Sequence, residues 1–172
     1  MIQPRIQLLF LLTALCWQGC LQEKPFGRSS FDRDWKFLFG DDSLAWKTDY
    51  DDAGWRQLDL PHDWSIEGEF SADAPATAEG GALPTGIGWY RKTFRLNQSG
   101  KGKLFYIDFD GVMSNSEVWI NGRYLGKRPY GYSLFRYELT PYLTFGNTPN
   151  VLAVKVDNSA QPASRWYTGS GI

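Results

Sequence analysis

Asn121-Gly122 stands between Glu117-Val118-Trp119-Ile120 and Arg123-Tyr124-Leu125-Gly126, and no other feature constrains the fold as tightly. Both central residues of a two-residue hairpin loop take positive φ, which Asn and Gly adopt at least cost, so the flanking runs are predicted to be antiparallel neighbours. The same period of two recurs elsewhere. Tyr90, Lys92, Phe94 and Leu96 share one face of a run whose other face carries Trp89, Arg91, Thr93 and Arg95, as expected of a half-buried strand. Leu104 to Asp110, Asn115 to Ile120 and Ser133 to Leu139 are further strand candidates, and Val151 to Asp157 sets Leu152, Val154 and Val156 on one face. Shorter aromatic or alternating pieces run from Asp34 to Phe39 and from Trp55 to Leu60. No segment beyond the first twenty residues has a 3.6-residue period. Seven to nine short strands with turn signals between them predict an all-β, two-sheet sandwich, with a jelly roll as the expected architecture.

With 172 residues the chain has room for one domain with a proper core. Its 18 Lys and Arg balance 19 Asp and Glu, which gives no electrostatic basis for a nucleic-acid partner or an anionic membrane surface. An aromatic content of 16% with 18 Gly and 9 Pro suits turn-rich β-structure. Residues 1–20 read as a secretory signal, with Arg5 in a polar start and an apolar stretch from Leu8 to Cys16 too short to span a bilayer. Gly19-Cys20 fits a lipoprotein signal, in which Cys20 would be lipidated and the lipid would be the one membrane attachment. Trp17 stands where such signals usually have Leu. Both cysteines lie in this segment, so the folded part forms no disulfide of its own. Residues 21–30 are expected to form a tether and 31–172 the domain.

Residues 71–88 are rich in small residues, Pro and Gly and are predicted to form a long surface loop of functional weight. The acidic run Asp49-Tyr50-Asp51-Asp52-Ala53-Gly54 is expected to be a solvated loop, because it lacks the ligand spacing of a calcium loop. Asn97-Gln98-Ser99 matches the glycosylation pattern, against which the bacterial-type signal argues. With one His and no cluster of His, Cys or closely spaced acids, no metal and no cofactor is expected.

Several short motifs follow one another in a telling order. They are Leu60-Pro61-His62-Asp63-Trp64, Leu83-Pro84-Thr85-Gly86, Gly88-Trp89-Tyr90-Arg91-Lys92, Phe109-Asp110-Gly111-Val112, Val118-Trp119-Ile120-Asn121-Gly122, Gly131-Tyr132 and Arg165-Trp166-Tyr167-Thr168-Gly169-Ser170-Gly171-Ile172. In this order they resemble the N-terminal sugar-binding domain of glycoside hydrolase family 2, the β-galactosidases and β-glucuronidases, over residues 31–172. The resemblance implies a galactose-binding-like β-sandwich that precedes an immunoglobulin-like domain and a (β/α)8 barrel. It also implies a retaining mechanism with two barrel glutamates about 5 to 5.5 Å apart. No acid here matches either catalytic motif, so no catalytic residue is assigned. The wording is most similar to the exported β-galactosidase branch, which implies a galactoside-type substrate and a periplasmic or outer-membrane lipoprotein location in a Gram-negative bacterium. The missing C-terminal domains would be partners within the same chain.

The resemblance names candidate substrate contacts. Members of the family have Asn just before Pro-Thr-Gly and an acid shortly before the tail Trp that helps to hold sodium; here Leu83 and Ser164 or Arg165 occupy those places. Arg165 and Trp166 are the expected contacts to sugar or barrel, an aromatic face for the C–H side of a sugar and a guanidinium for its hydroxyls. The plainer alternative has Trp166 packing on the next domain and Arg165 pairing with an acid. Asp63 is a further candidate sugar contact, and Leu83 marks the loop that would reach the pocket. His62 lacks a nucleophile partner and is expected to fix a loop by hydrogen bonding. Trp89 and Trp119 are expected in the core. Two other functions share the fold: a stand-alone carbohydrate-binding module without catalysis, which needs an exposed aromatic platform, and a purely structural buttress.

Overall fold

The computed structural model describes residues 27–160 and 167–172. The chain divides into residues 1–31 and 32–172, and every strand belongs to the second unit. Among the described residues eight strands follow in order: β1 (Trp35–Phe39), β2 (Arg56–Leu58), β3 (Ile87–Phe94), β4 (Tyr106–Phe109), β5 (Ser116–Ile120), β6 (Arg123–Arg128), β7 (Phe135–Glu138) and β8 (Asn150–Asp157). Six of them form an antiparallel sheet in the order β2-β1-β3-β8-β5-β6, and β4 pairs with β7 in a second, two-stranded sheet. The described residues contain no α-helix, only three-residue 3-10 turns such as Ala78–Gly80.

Strand register decides which side chains meet. Phe37 pairs with Tyr90, Tyr90 with Val154 and Val154 with Val118, so these four line one face of the large sheet. Leu152, Val156 and Ile120 extend that face, and all are fully buried. The β4–β7 pair covers it. Phe109 and Phe135 stack at 5.0 Å between centroids, and Gly126 of β6 lies under the Tyr137 ring of β7, where a Cβ would stand 3.0 Å from the hydroxyl. Asn121 and Gly122 hold φ of 49° and 77° in the β5–β6 turn, as the sequence requires. The Asn121 carboxamide does more than turn the chain. Its Oδ1 accepts from Val151 N and its Nδ2 donates to Asn150 Oδ1, both at 2.8 Å, which ties the hairpin to the start of β8.

The opposite face of the sheet differs from expectation. β3 is buried on both sides over Gly88–Arg91, where a half-buried strand was predicted, because residues 41–55 fold back across the second face. Ala45, Trp46, Tyr50 and Trp55 from that excursion pack on Trp89, Ala153 and Trp119, and Trp89 and Trp119 stack at 5.4 Å. The acidic run is therefore not simply solvated. Asp52 Oδ2 accepts from Arg91 Nε at 2.8 Å and Oδ1 from Lys36 Nζ at 2.6 Å, while Arg91 Nη1 also donates to the carbonyls of Ala45 and Lys47. Arg91 is 2% exposed. Residues 71–86 do form a loop, but Ala76 and Leu83 are buried and pin it to the body.

Candidate functional site

Four segments converge at one end of the sandwich: residues 62–65, 83–86, 111–115 and the tail 167–172. Gly171 is the point of contact. Its N–H donates to Met113 O at 3.0 Å, its carbonyl accepts from Met113 N at 2.9 Å, and it bridges Asp63 on its other side. His62 N donates to Ile172 O at 2.7 Å and Trp64 N to Ser170 O at 3.0 Å. The tail thus inserts as a short strand between 62–64 and 113.

Asp63 clamps that strand. Its Oδ1 accepts from the backbone N–H of Ser65 and of Ser170, each at 2.9 Å, and its Oδ2 accepts from the Tyr167 hydroxyl. Burial, and then the Asp63 carboxylate, push the Tyr167 phenol well above its ordinary value, so Tyr167 stays a donor. Ala offers no acceptor to the Ser65 and Ser170 amides or to the Tyr167 hydroxyl. Asp63→Ala is therefore expected to loosen the tail by about 1–3 kcal/mol, read as faster hydrogen exchange at the Ser170 amide.

Behind the clamp lies a buried polar chain. Asn158 Nδ2 is 2.8 Å from Ser170 Oγ, Ser170 Oγ is 2.6 Å from Ser65 Oγ, and Ser65 Oγ is 2.5 Å from the Pro84 carbonyl. An amide N–H only donates and a carbonyl only accepts, so the order of donation runs from Asn158 through Ser170 and Ser65 to Pro84. One set of hydrogen bonds therefore joins the end of β8, the tail, the 62–65 segment and the Pro84-Thr85-Gly86 turn. Asn158 N also donates to Gly86 O at 2.8 Å.

His62 belongs to the scaffold of this end. Arg56 Nη2 lies 2.6 Å from Nε2, and Tyr90 Oη lies 2.7 Å from Nδ1. Arginine only donates, which assigns the neutral tautomer with its proton on Nδ1, facing Tyr90. Burial lowers the His62 pKa, outweighing the opposing effect of Glu67, and keeps the ring neutral near pH 7. Glu67 is bound in turn to Arg56 at 2.7 Å. Burial would raise its pKa, but the hydrogen bond and charge of Arg56 prevail and hold it below the ordinary range, so it is not a protonated general acid.

Of the residues expected to touch sugar, Asp63 holds the tail, and Leu83 is 6% exposed and presents no polar side-chain atom. Pro84 and Thr85 are the more accessible members of that loop. Arg165, Trp166 and Cys20 lie outside the described residues. Ser65, Tyr90, Asn158 and Ser170 were not anticipated. The local signal for Ser65 is the Asp-Trp-Ser spacing, which lets a carboxylate cap the backbone two residues on.

The glycosyl hydrolases family 2 sugar-binding domain model matches residues 29–172. The chain belongs to glycoside hydrolase family 2. It is 58% identical over 148 residues to a family 2 β-galactosidase of Bacteroides ovatus, covering 86% of this chain and 17% of that protein. It is 44% identical over 162 residues to a putative β-glucuronidase of Formosa agariphila, covering 94% of this chain and 16% of that one. A solved β-glycosidase from Bacteroides vulgatus superposes with a TM-score of 0.80 at 51% identity, over 84% of this chain and 19% of its own. The chain thus spans less than a fifth of these family 2 relatives, and its sandwich is the family's sugar-binding domain fold.

Proposed function

We propose that this chain is the N-terminal sugar-binding domain of an exported, retaining family 2 glycosidase, a β-galactosidase of carbohydrate catabolism, and that it hydrolyses nothing on its own. The lacing of the tail into the sandwich carries this reading. Four segments are fixed together at one end, so loops leaving that end are rigidly placed against whatever chain follows. The carboxylates there are already engaged, Asp63 by three donors and Glu67 by Arg56, which suits positioning and not acid catalysis. In this reading Arg165 and Trp166, directly before the anchored Tyr167, face the sugar or the barrel, and residues 1–20 direct export with Cys20 as the lipid attachment. The 44% identity to a putative β-glucuronidase favours a glucuronide-cleaving enzyme as the second reading.

The test compares this chain with the protein encoded by its complete reading frame on p-nitrophenyl β-galactoside and β-glucuronide. The expected result is no turnover by the chain and hydrolysis of the galactoside by the longer protein. Turnover of the glucuronide alone selects the second reading. Hydrolysis by the 172-residue chain itself would overturn both.

A further inference from the structure

Beside the laced end, the sheet edge formed by β1 and β2 carries an open groove of about 340 Å³, within the range of small-molecule sites. Phe37, Phe39, Trp55, Trp64, Arg56 and Glu67 are among the residues that line it. Its composition is unusual for a mere packing defect. Phe39 is 53% exposed although it ends a core strand, and its ring sits tilted 6.1 Å from Trp64. Arg56 and Glu67 are half-exposed and paired at 2.7 Å, offering guanidinium N–H donors and carboxylate acceptors side by side.

Trp64 adds an independent observation. It is 4% exposed, and its indole N–H has no acceptor among the described residues. The benzo edge of the indole packs against β3, since a Cβ on Gly88 would stand 2.8 Å from Cζ3, and the ring stacks on Phe37 at 5.7 Å. The N–H therefore lies on the edge turned away from Gly88. The indole nitrogen is itself closed to solvent, so Trp64 lines the groove with its ring beside the exposed Phe39, and its resonance reports on what binds there.

We infer that this groove binds one neutral pyranose ring, with the C–H face of the sugar against Phe39 and its hydroxyls on the Arg56–Glu67 pair. Neutrality follows from charge. Glu67 already cancels Arg56, His62 is neutral, and a uronate carboxylate placed here would meet Glu67 with no free cation among the lining residues named. The groove adjoins the Leu83 loop through Pro84, which helps to line it, and it deepens the sugar-binding reading proposed above, on which its choice of galactoside rests.

The experiment uses the 15N-labelled chain titrated with methyl β-D-galactopyranoside, following the Trp64 indole N–H resonance. A saturable shift at Trp64 is expected, and Phe39→Ala should weaken binding by roughly three- to tenfold with the fold intact. Glu67→Gln, which keeps the shape and removes the carboxylate acceptor, should weaken binding in the same sense. If it does not fold, Phe39→Ala decides alone. Unchanged affinity in folded Phe39→Ala, or no saturable shift at Trp64, would overturn the groove. A shift confined to Tyr167 and Ser170 would also overturn it while leaving the sugar-binding reading standing. Methyl β-D-glucuronide binding at Trp64 in place of the galactoside would overturn the neutral-sugar site and count against the galactosidase reading as well.

Discussion

Gly171→Ala is expected to lower the stability of the chain by about 2–4 kcal/mol, the combined size of an overpacked contact and a side chain forced into a positive-φ conformation. Gly171 holds φ of 148°, and a Cβ there would overlap the His62 carbonyl and stand 2.8 Å from the Tyr90 hydroxyl. Neither neighbour is free to retreat. His62 is held through its ring by Arg56 and Tyr90, and its own N–H is bonded to Ile172 O. The tail must then move out, losing the paired bonds to Met113 and the bond from Trp64 N to Ser170 O. Urea unfolding of Gly171→Ala beside Gly54→Ala gives the comparison, because a Cβ on Gly54 meets nothing within 4 Å. The control should change stability by no more than about 0.5 kcal/mol. Equal stabilities for the two variants would show that the tail is not locked into the sandwich.

The strands were legible because the period of two is a local property. Each pleated run reveals its own faces, and the Asn121-Gly122 turn fixes a partner as well. Which faces are buried was less legible. Alternation sets Arg91 on the same face as Trp89 without saying how a guanidinium is accommodated there, and only the return of residues 41–55 makes that face a second core. An acidic, turn-rich sequence looks the same whether its carboxylates meet water or a buried guanidinium, so Asp52 carried no local mark of its role. The candidate site was hidden by distance along the chain. Asp63 and Ser170 are 107 residues apart, and Ser65 and Ser170 are 105 apart, so no periodicity or spacing rule connects them. The motif order located these segments, while their hydrogen-bond chemistry needed the fold.

Asp52→Ala is expected to cost about 3 kcal/mol or more, since removing one partner leaves the other charge buried and short of a counter-ion. Arg91 would retain the carbonyls of Ala45 and Lys47 but lose its carboxylate, and Lys36 would lose the same partner. Arg91→Met in the same background should return part of the loss, because the uncompensated guanidinium is then gone and its place is filled by an apolar chain of similar length. The effect should also depend on pH in a definite direction. Burial would raise the Asp52 carboxyl, but the hydrogen bonds from Lys36 and Arg91 outweigh it and hold the pKa below 3.8. A carboxylate depressed by folding contributes fully above its unfolded value, about 3.9, and the contribution is lost as pH falls through the lower folded value. Urea midpoints for the native sequence and for Asp52→Ala should therefore differ most near neutral pH and draw together as the solution is acidified through that window. Stability curves that stay parallel down to acid pH would mean that the Asp52–Arg91 pair does not hold residues 41–55 against the sheet, and that aromatic packing around Trp89 alone does so.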